Sequence, residues 1–194
     1  MYTTLTNFSS KSSLTSILLD RSTDGGATCE SVSSVISHVS APPLMYPNTN
    51  FRDGIEDTFA VGPKRQANGQ FPLYVSWEDY STGFGNLILS ASYDGGHTWS
   101  APIQVTDNAN PNIDALQPNL TAAADGTVIV AFYDRRLTCA AGGADAATAG
   151  LALDRQAPFG ATNYCINASA QLYDAGLRPF GTTFASRCIR GTPS

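Results

Sequence analysis

Three short segments carry charged side chains close together: Arg52-Asp53, Glu78-Asp79 and Asp134-Arg135-Arg136. Arginine offers a planar fork of donors that matches a carboxylate in two parallel bonds. Paired carboxylates supply the acid and the base or nucleophile of glycoside hydrolysis. Gathered at one mouth, these segments could hold a sugar acid and cleave its linkage. On this reading Asp53 and Asp134 are catalytic, while Arg52, Glu78, Asp79, Arg135 and Arg136 bind substrate. The same residues have a plainer use, because charges at strand ends are often solvated or paired with a neighbouring element.

The elements that must position them read as strands. Leu73, Val75 and Trp77 alternate with Tyr74 and Ser76, the period of two expected of a strand. Val128 to Phe132 is apolar without alternation, which predicts a strand covered on both faces. Further strands are expected over Tyr2 to Phe8, Leu14 to Arg21, Val32 to Val39, Thr58 to Gly62, Pro72 to Glu78, Asn86 to Ser92 and Pro102 to Thr106. Pro118 to Ala124, Thr127 to Tyr133, Gly150 to Asp154 and Ala170 to Asp174 complete the set. Ala140 to Ala149 reads as a loop, because Gly142-Gly143 would weaken a helix.

One octet recurs between these runs. It stands as Ser92-Tyr93-Asp94-Gly95-Gly96-His97-Thr98-Trp99 and as Ser22-Thr23-Asp24-Gly25-Gly26-Ala27-Thr28-Cys29. In each, the Asp carboxylate can take backbone N–H bonds from its own loop and glycine supplies positive φ. Thr98 can add a second local bond, and Trp99 can fold back as an apolar plug. Cys29 stands where the other octet has its tryptophan, so a buried free thiol is expected there.

The octet resembles the Asp-box, or BNR repeat, of sialidase-like β-propellers. The resemblance rests on Ser22, Asp24, Gly26, Thr28, Ser92, Asp94, Gly96, Thr98 and Trp99, and on the strand rhythm up to Thr182. It implies an all-β fold, a partial propeller of about two to three four-stranded antiparallel blades, with remnants over 1–40, 58–106 and 118–182. Asp-boxes in that family are structural turns on the face away from the active site. The opposite face would then collect Arg52, Asp53, Glu56, Asp57, Glu78, Asp79, Tyr80, Asp114 and Asp134 to Arg136. Sialidases bring three arginines, an Asp acid/base and a Tyr–Glu pair to that face. Here no Arg-Ile-Pro motif precedes the first octet, and nothing pairs Tyr80 or Tyr133 with a glutamate.

A propeller closes with roughly 4–8 blades, so the chain is expected to be a fragment or to close a ring from several copies through open blade faces. Residues 183–194 read as an atypical tail. Family members of this kind continue into a strand of the type NIRVSxYTWDP, and codons exist for this tail that spell such a strand one base earlier. A frameshifted tail is therefore expected, with no functional meaning for Cys188. Three functional readings follow: a sialidase-like glycoside-hydrolase module acting on glycans, a non-catalytic propeller binding glycan or protein, and an inactive truncated product.

Composition narrows the classes. The chain has 194 residues, 42 % hydrophobic and 14 % charged, enough apolar content for a core. The net charge is −5 and no Lys/Arg run occurs, which argues against a nucleic-acid partner. No apolar run is long enough for a membrane-spanning helix, and no cationic n-region with an apolar h-region opens the chain. A secreted setting, as part of a longer parent, is the expectation. Of the four cysteines, Cys139 and Cys165 flank one long excursion, as a disulfide or as two buried thiols. No C-x-x-C pair exists, only His38 and His97 offer imidazole, and the acids 53, 56 and 57 do not follow an EF-hand spacing. Neither a metal nor a cofactor is expected.

Overall fold

The computed structural model describes residues 1–8, 15–30, 34–49, 52–54, 56–107, 109–140, 142–143 and 157–186. They form three antiparallel meanders. The first sheet holds β1 (Tyr2–Phe8), β2 (Thr15–Arg21) and β3 (Ser34–Val39). The second holds β4 (Thr58–Val61), β5 (Leu73–Asp79), β6 (Asn86–Ser92) and β7 (Ile103–Gln104) in that order. The third holds β8 (Ala115–Ala122), β9 (Val128–Asp134), β10 (Asn167–Tyr173) and β11 (Phe184–Ser186). This is an all-β, partial β-propeller of two full blades and one three-stranded blade. Its octets join the third and fourth strands of a blade, so the first blade lacks its innermost strand.

Two apolar layers join the blades. Ile17 and Val39 of the first sheet meet Val75 and Trp77 of the second, with Phe59, Ile88 and Trp99 against them. Tyr74, Leu87, Leu89 and Ala91 of the second sheet meet Leu120, Val128, Val130, Phe132 and Tyr173 of the third. Each such buried side chain contributes about 1.5–3 kcal/mol over its exposed state.

The middle blade therefore has neighbours on both faces, and β5 is buried at every position from Leu73 to Glu78. Its alternation of large apolar with Tyr and Ser sorts residues between two packed faces. The third blade is packed on one face. Along β9, Val128, Val130, Phe132 and Asp134 are buried whereas Ala131 and Tyr133 are exposed. The expectation that β9 is covered on both faces is thus corrected, since an apolar run marks strand propensity and does not supply the covering layer.

Other differences have local causes. β8 begins at Ala115, ahead of the expected Pro118, because a bulge between Leu116 and Asn119 absorbs the proline. β10 begins at Asn167 and ends at Tyr173, a register fixed by pairing Asn167 with Asp134 and Tyr173 with Val128. The third sheet also crosses the expected boundary after 182, since Ala168 to Ala170 pair with Ser186 to Phe184. The expected strand from Gly150 to Asp154 and Cys188 lie outside the described residues, as do the expected strand starts at Leu14 and Val32 and most of the loop from Ala140 to Ala149.

The octets close alike. In the second, the Ser92 hydroxyl bonds the Asp94 carboxylate at 2.8 Å and accepts the Gly96 N–H at 2.8 Å. Asp94 also takes the Thr98 N–H at 2.9 Å and its hydroxyl at 2.6 Å. Ser22, Asp24, Gly26 and Thr28 repeat these bonds at 2.7, 2.8, 2.9 and 2.6 Å. Trp99 packs partly buried against the layer between the first two blades, whereas Cys29 is an exposed free thiol, not the buried one expected. With no aromatic plug, nothing draws the end of the first octet inward. Cys139 and Cys165 are joined as a disulfide that, with Ala157 and Tyr164, makes a small core under the β9–β10 connection.

Candidate functional site

The meander places four connections on one face: β3 to β4, β5 to β6, β7 to β8 and β9 to β10. The octets and the Asp125-Gly126 turn lie on the other. The four connections are tied together. The Tyr80 N–H bonds the Ser40 carbonyl at 2.9 Å, and the Ala115 N–H bonds the Gly85 carbonyl at 2.9 Å. The Asp114 N–H bonds the Asn163 side chain at 2.9 Å.

At this mouth Glu78, next to the end of β5, has no exposed surface. The Tyr46 hydroxyl, from the β3–β4 connection, donates a very short bond to Glu78 Oε1. The Gln117 N–H donates to Glu78 Oε2 at 3.2 Å. The Gln117 side-chain amide, in turn, reaches Asp53 Oδ1 at 3.4 Å. Asp53 is 7 % exposed, and its Oδ2 is buried with no hydrogen-bond partner. One residue thus links two buried carboxyls, one on β5 and one in the β3–β4 connection.

Burial dominates their electrostatics. Losing water disfavours the charged carboxylate. That, with the nearby Asp114 charge, outweighs the Gln117 N–H and raises Glu78 to about 8. Asp53 is also raised, by burial first and by the charges of Glu56 and Asp114, against the bonds from Gly54 and Gln117.

Gln117 has φ 52, a left-handed backbone uncommon for a residue other than glycine. It sits in the β8 bulge, and its side chain lines a cleft of 390 Å³ with Glu56, Asn119, Ala131, Tyr133 and Ser169 among the other walls. Gln117 therefore lies between open space and the two carboxyls.

The other expected site residues divide into scaffold and surface. Arg135, expected to bind substrate, is fully buried. It pairs with Asp114 at 3.1 Å and donates to the Pro47 and Tyr164 carbonyls at 2.9 and 3.2 Å. Asp134, expected to be catalytic, is 1 % exposed and engaged by Arg136 at 2.5 Å and the Ser169 hydroxyl at 2.9 Å. Arg136 also pairs with Asp107 at 2.8 Å. Asp79 takes the Ser40 N–H at 2.9 Å and a very short bond from the Ser81 hydroxyl. Arg52 is exposed beside Asp53. The structure thus groups Asp53 with Glu78, and Asp134 with Arg136.

Sequence reasoning missed Tyr46 and Gln117. Tyr46 lies in a Pro/Asn-rich connection with no motif around it. The one signal for Gln117 is its place before Pro118, which marks a break in the strand. Among the described residues no cluster of three or more His, Cys, Asp or Glu is set to hold a metal ion, and no helix is long and apolar enough to cross a membrane.

No protein-family model matches the chain, and no curated protein matches it in sequence. Its fold does match solved structures. One is an alpha-L-arabinanase of Penicillium chrysogenum complexed with arabinobiose, at TM-score 0.55 and 13 % identity over 92 % of this chain. Another is the GH93 alpha-L-arabinofuranosidase of Fusarium graminearum with arabinobiose, at TM-score 0.51 and 16 % identity over 95 % of this chain. Both are β-propellers, and the chain spans 44 % of the length of each. At these identities the likeness establishes the propeller fold.

Proposed function

We propose that this chain carries the acid and base carboxyls of a propeller glycoside hydrolase, with Glu78 as the acid and Asp53 as its partner. The observation that carries this reading is the buried Glu78, held by Tyr46 and Gln117 and bridged through Gln117 to Asp53. A carboxyl raised to about 8 keeps its proton at neutral pH, the state a general acid needs. Asp53 has one oxygen without a partner.

The chemistry follows from these roles. Substrate entering the cleft meets Gln117, whose N–H and side-chain amide hold Glu78 and Asp53. Glu78 gives its proton to the glycosidic oxygen as the bond to the anomeric carbon breaks. Asp53 either takes a proton from the attacking water or attacks the anomeric carbon itself. In the second case water later releases the sugar and returns the proton to Glu78.

For substrate we propose a neutral arabinose oligosaccharide. Two structural neighbours were solved with arabinobiose. A neutral sugar needs no arginine cluster, and Arg135 and Arg136 are already engaged by Asp114, Asp134 and Asp107. The sialidase reading keeps one supporting observation, the two octets with their Ser–Asp–Thr bonds, and Arg52 is its exposed arginine at the mouth. The disulfide supports an extracellular setting. The exposed Ala131 and Tyr133 of the third blade suit either self-association or further blades of a longer parent.

The test is release of arabinose from arabinobiose and arabinan, beside release from a sialoside, by the full chain. Glu78→Gln should lower kcat/KM by about 10²–10⁴, and the wild-type rate should fall as pH rises through about 8. Hydrolysis unaffected by Glu78→Gln overturns the assignment. Saturable glycan binding without hydrolysis makes the chain a binding module instead.

A further inference from the structure

The bridge between the two carboxyls has an unusual construction. β8 reaches Glu78 and Asp53 through a single residue, with the backbone serving one and the side chain the other. A regular strand points its N–H along the ladder and its side chain across the sheet, so it cannot serve both in this way. The bulge between Leu116 and Asn119 removes residue 117 from the ladder. Its left-handed backbone, φ 52, turns the freed N–H to Glu78. A non-glycine residue holds that conformation at a cost of order 1–2 kcal/mol, and such costs cluster at functional sites.

Nothing else at position 117 accounts for glutamine. Glycine would take φ 52 without strain but has no amide. Asparagine tolerates the backbone but is one methylene short of Asp53.

We infer that Gln117 is the positioning residue of this carboxyl pair: its N–H fixes Glu78, its side-chain amide fixes Asp53, and the bulged left-handed backbone makes both contacts available at once. The inference deepens the hydrolase reading, but its geometry stands apart from any activity. The charged and titratable groups facing the pair are Tyr46 above Glu78, Glu56 beside Asp53, and Asp114 near both.

The experiment is carboxyl ¹³C NMR titration of Asp53 and Glu78 in the full chain, with Gln117→Met and Gln117→Gly. Methionine keeps the size and backbone N–H and removes the amide. Glycine relieves the backbone and also removes the amide, which keeps the test usable if the methionine variant does not fold. In both, the Asp53 midpoint should rise by roughly 0.5–1 unit on losing its donor, while Glu78 stays where it is. An unchanged Asp53 midpoint in the folded variants overturns the inference. So does an equal shift of both carboxyls, which would mean general loosening. Loss of sugar release with an unmoved Asp53 midpoint would leave the hydrolase reading standing and remove this one.

Discussion

Arg135 and Asp114 form an ion pair at 3.1 Å whose side chains are 0 % and 1 % exposed, and their bonds hold all four connections together. Asp114 also caps the Gly85 N–H at 3.0 Å, and Arg135 reaches the Pro47 carbonyl. Removing one partner of a buried pair leaves the other charged without water and costs about 3–5 kcal/mol. Arg135→Met should therefore lose that much in urea unfolding at neutral pH. A loss under about 1 kcal/mol would show that water reaches Asp114 freely and that the pair is not buried in solution.

The octet glycines are expected to differ by what lies above them. A Cβ on Gly96 would meet Leu19 Cδ2 at 2.2 Å, and Leu19 is 1 % exposed with little room to move. A Cβ on Gly25 meets nothing within 4 Å. Both have positive φ, 89° at Gly96 and 77° at Gly25, so each alanine carries the left-handed cost of about 1–2 kcal/mol. Gly96→Ala adds overpacking of about 1–3 kcal/mol. Thermal or urea midpoints of Gly96→Ala and Gly25→Ala check the difference, and equal losses would mean that Leu19 does not pack under the second octet.

The blade rhythm was legible because each strand carries its own apolar pattern and each octet its own turn chemistry. Both are local. What covers a strand is not local, so the apolar run of β9 did not reveal that only one of its faces is packed and that Tyr133 faces outward. The site was legible by face but not by pairing. Arg135 and Asp134 are strand-end charges like Glu78, and only the long-range contacts separate a strut from a site. Glu78 becomes special through Tyr46 and Gln117, two residues with no motif to announce them.

The disulfide should matter more than its small core suggests. Cys139 and Cys165 are 26 positions apart, and the bridge restricts the unfolded chain over that span. Bridges of this kind contribute about 2–4 kcal/mol. Cys139→Ser with Cys165→Ser should lower unfolding stability by that amount, and a reducing agent should lower the wild type equally while leaving the double variant unchanged. A reductant effect on the double variant would trace the loss to something other than this bridge.

The octet acids set an acid limit. Burial pushes Asp94 up, but the Thr98, Ser92 and His97 bonds together outweigh it and hold the carboxyl at about 2. The Thr28 hydroxyl, with Ser22, holds Asp24 low in the same way. A carboxyl lowered on folding stabilises above its unfolded value near 4 and loses that contribution as pH falls through its folded value. Wild-type urea midpoints should drop between about pH 4 and pH 2. Asp94→Asn should be less stable at pH 7 and show a shallower drop; a drop as steep as wild type would place the acid limit elsewhere.

Glu78 gives the opposite sign, and the two effects together separate a catalytic strain from a structural bond. Its folded value of about 8 lies above the unfolded value near 4.3. Between these values the folded chain holds a proton that the unfolded chain releases. Stability from this group is full below about pH 4.3 and falls as pH rises toward 8, by up to about 1.4 kcal/mol per pH unit. Glu78→Gln removes the ionisation but keeps an oxygen for the Gln117 N–H and an amide for the Tyr46 hydroxyl. Unfolding measured from pH 5 to pH 9 should therefore show a flatter profile for Glu78→Gln and a variant more stable than wild type at pH 9. If the wild-type profile is already flat over that range, Glu78 is ionised when folded and is not the acid. If the variant is more stable yet releases no sugar, the chain is holding a costly buried proton for the reaction, which a residue kept only for structure has no reason to do.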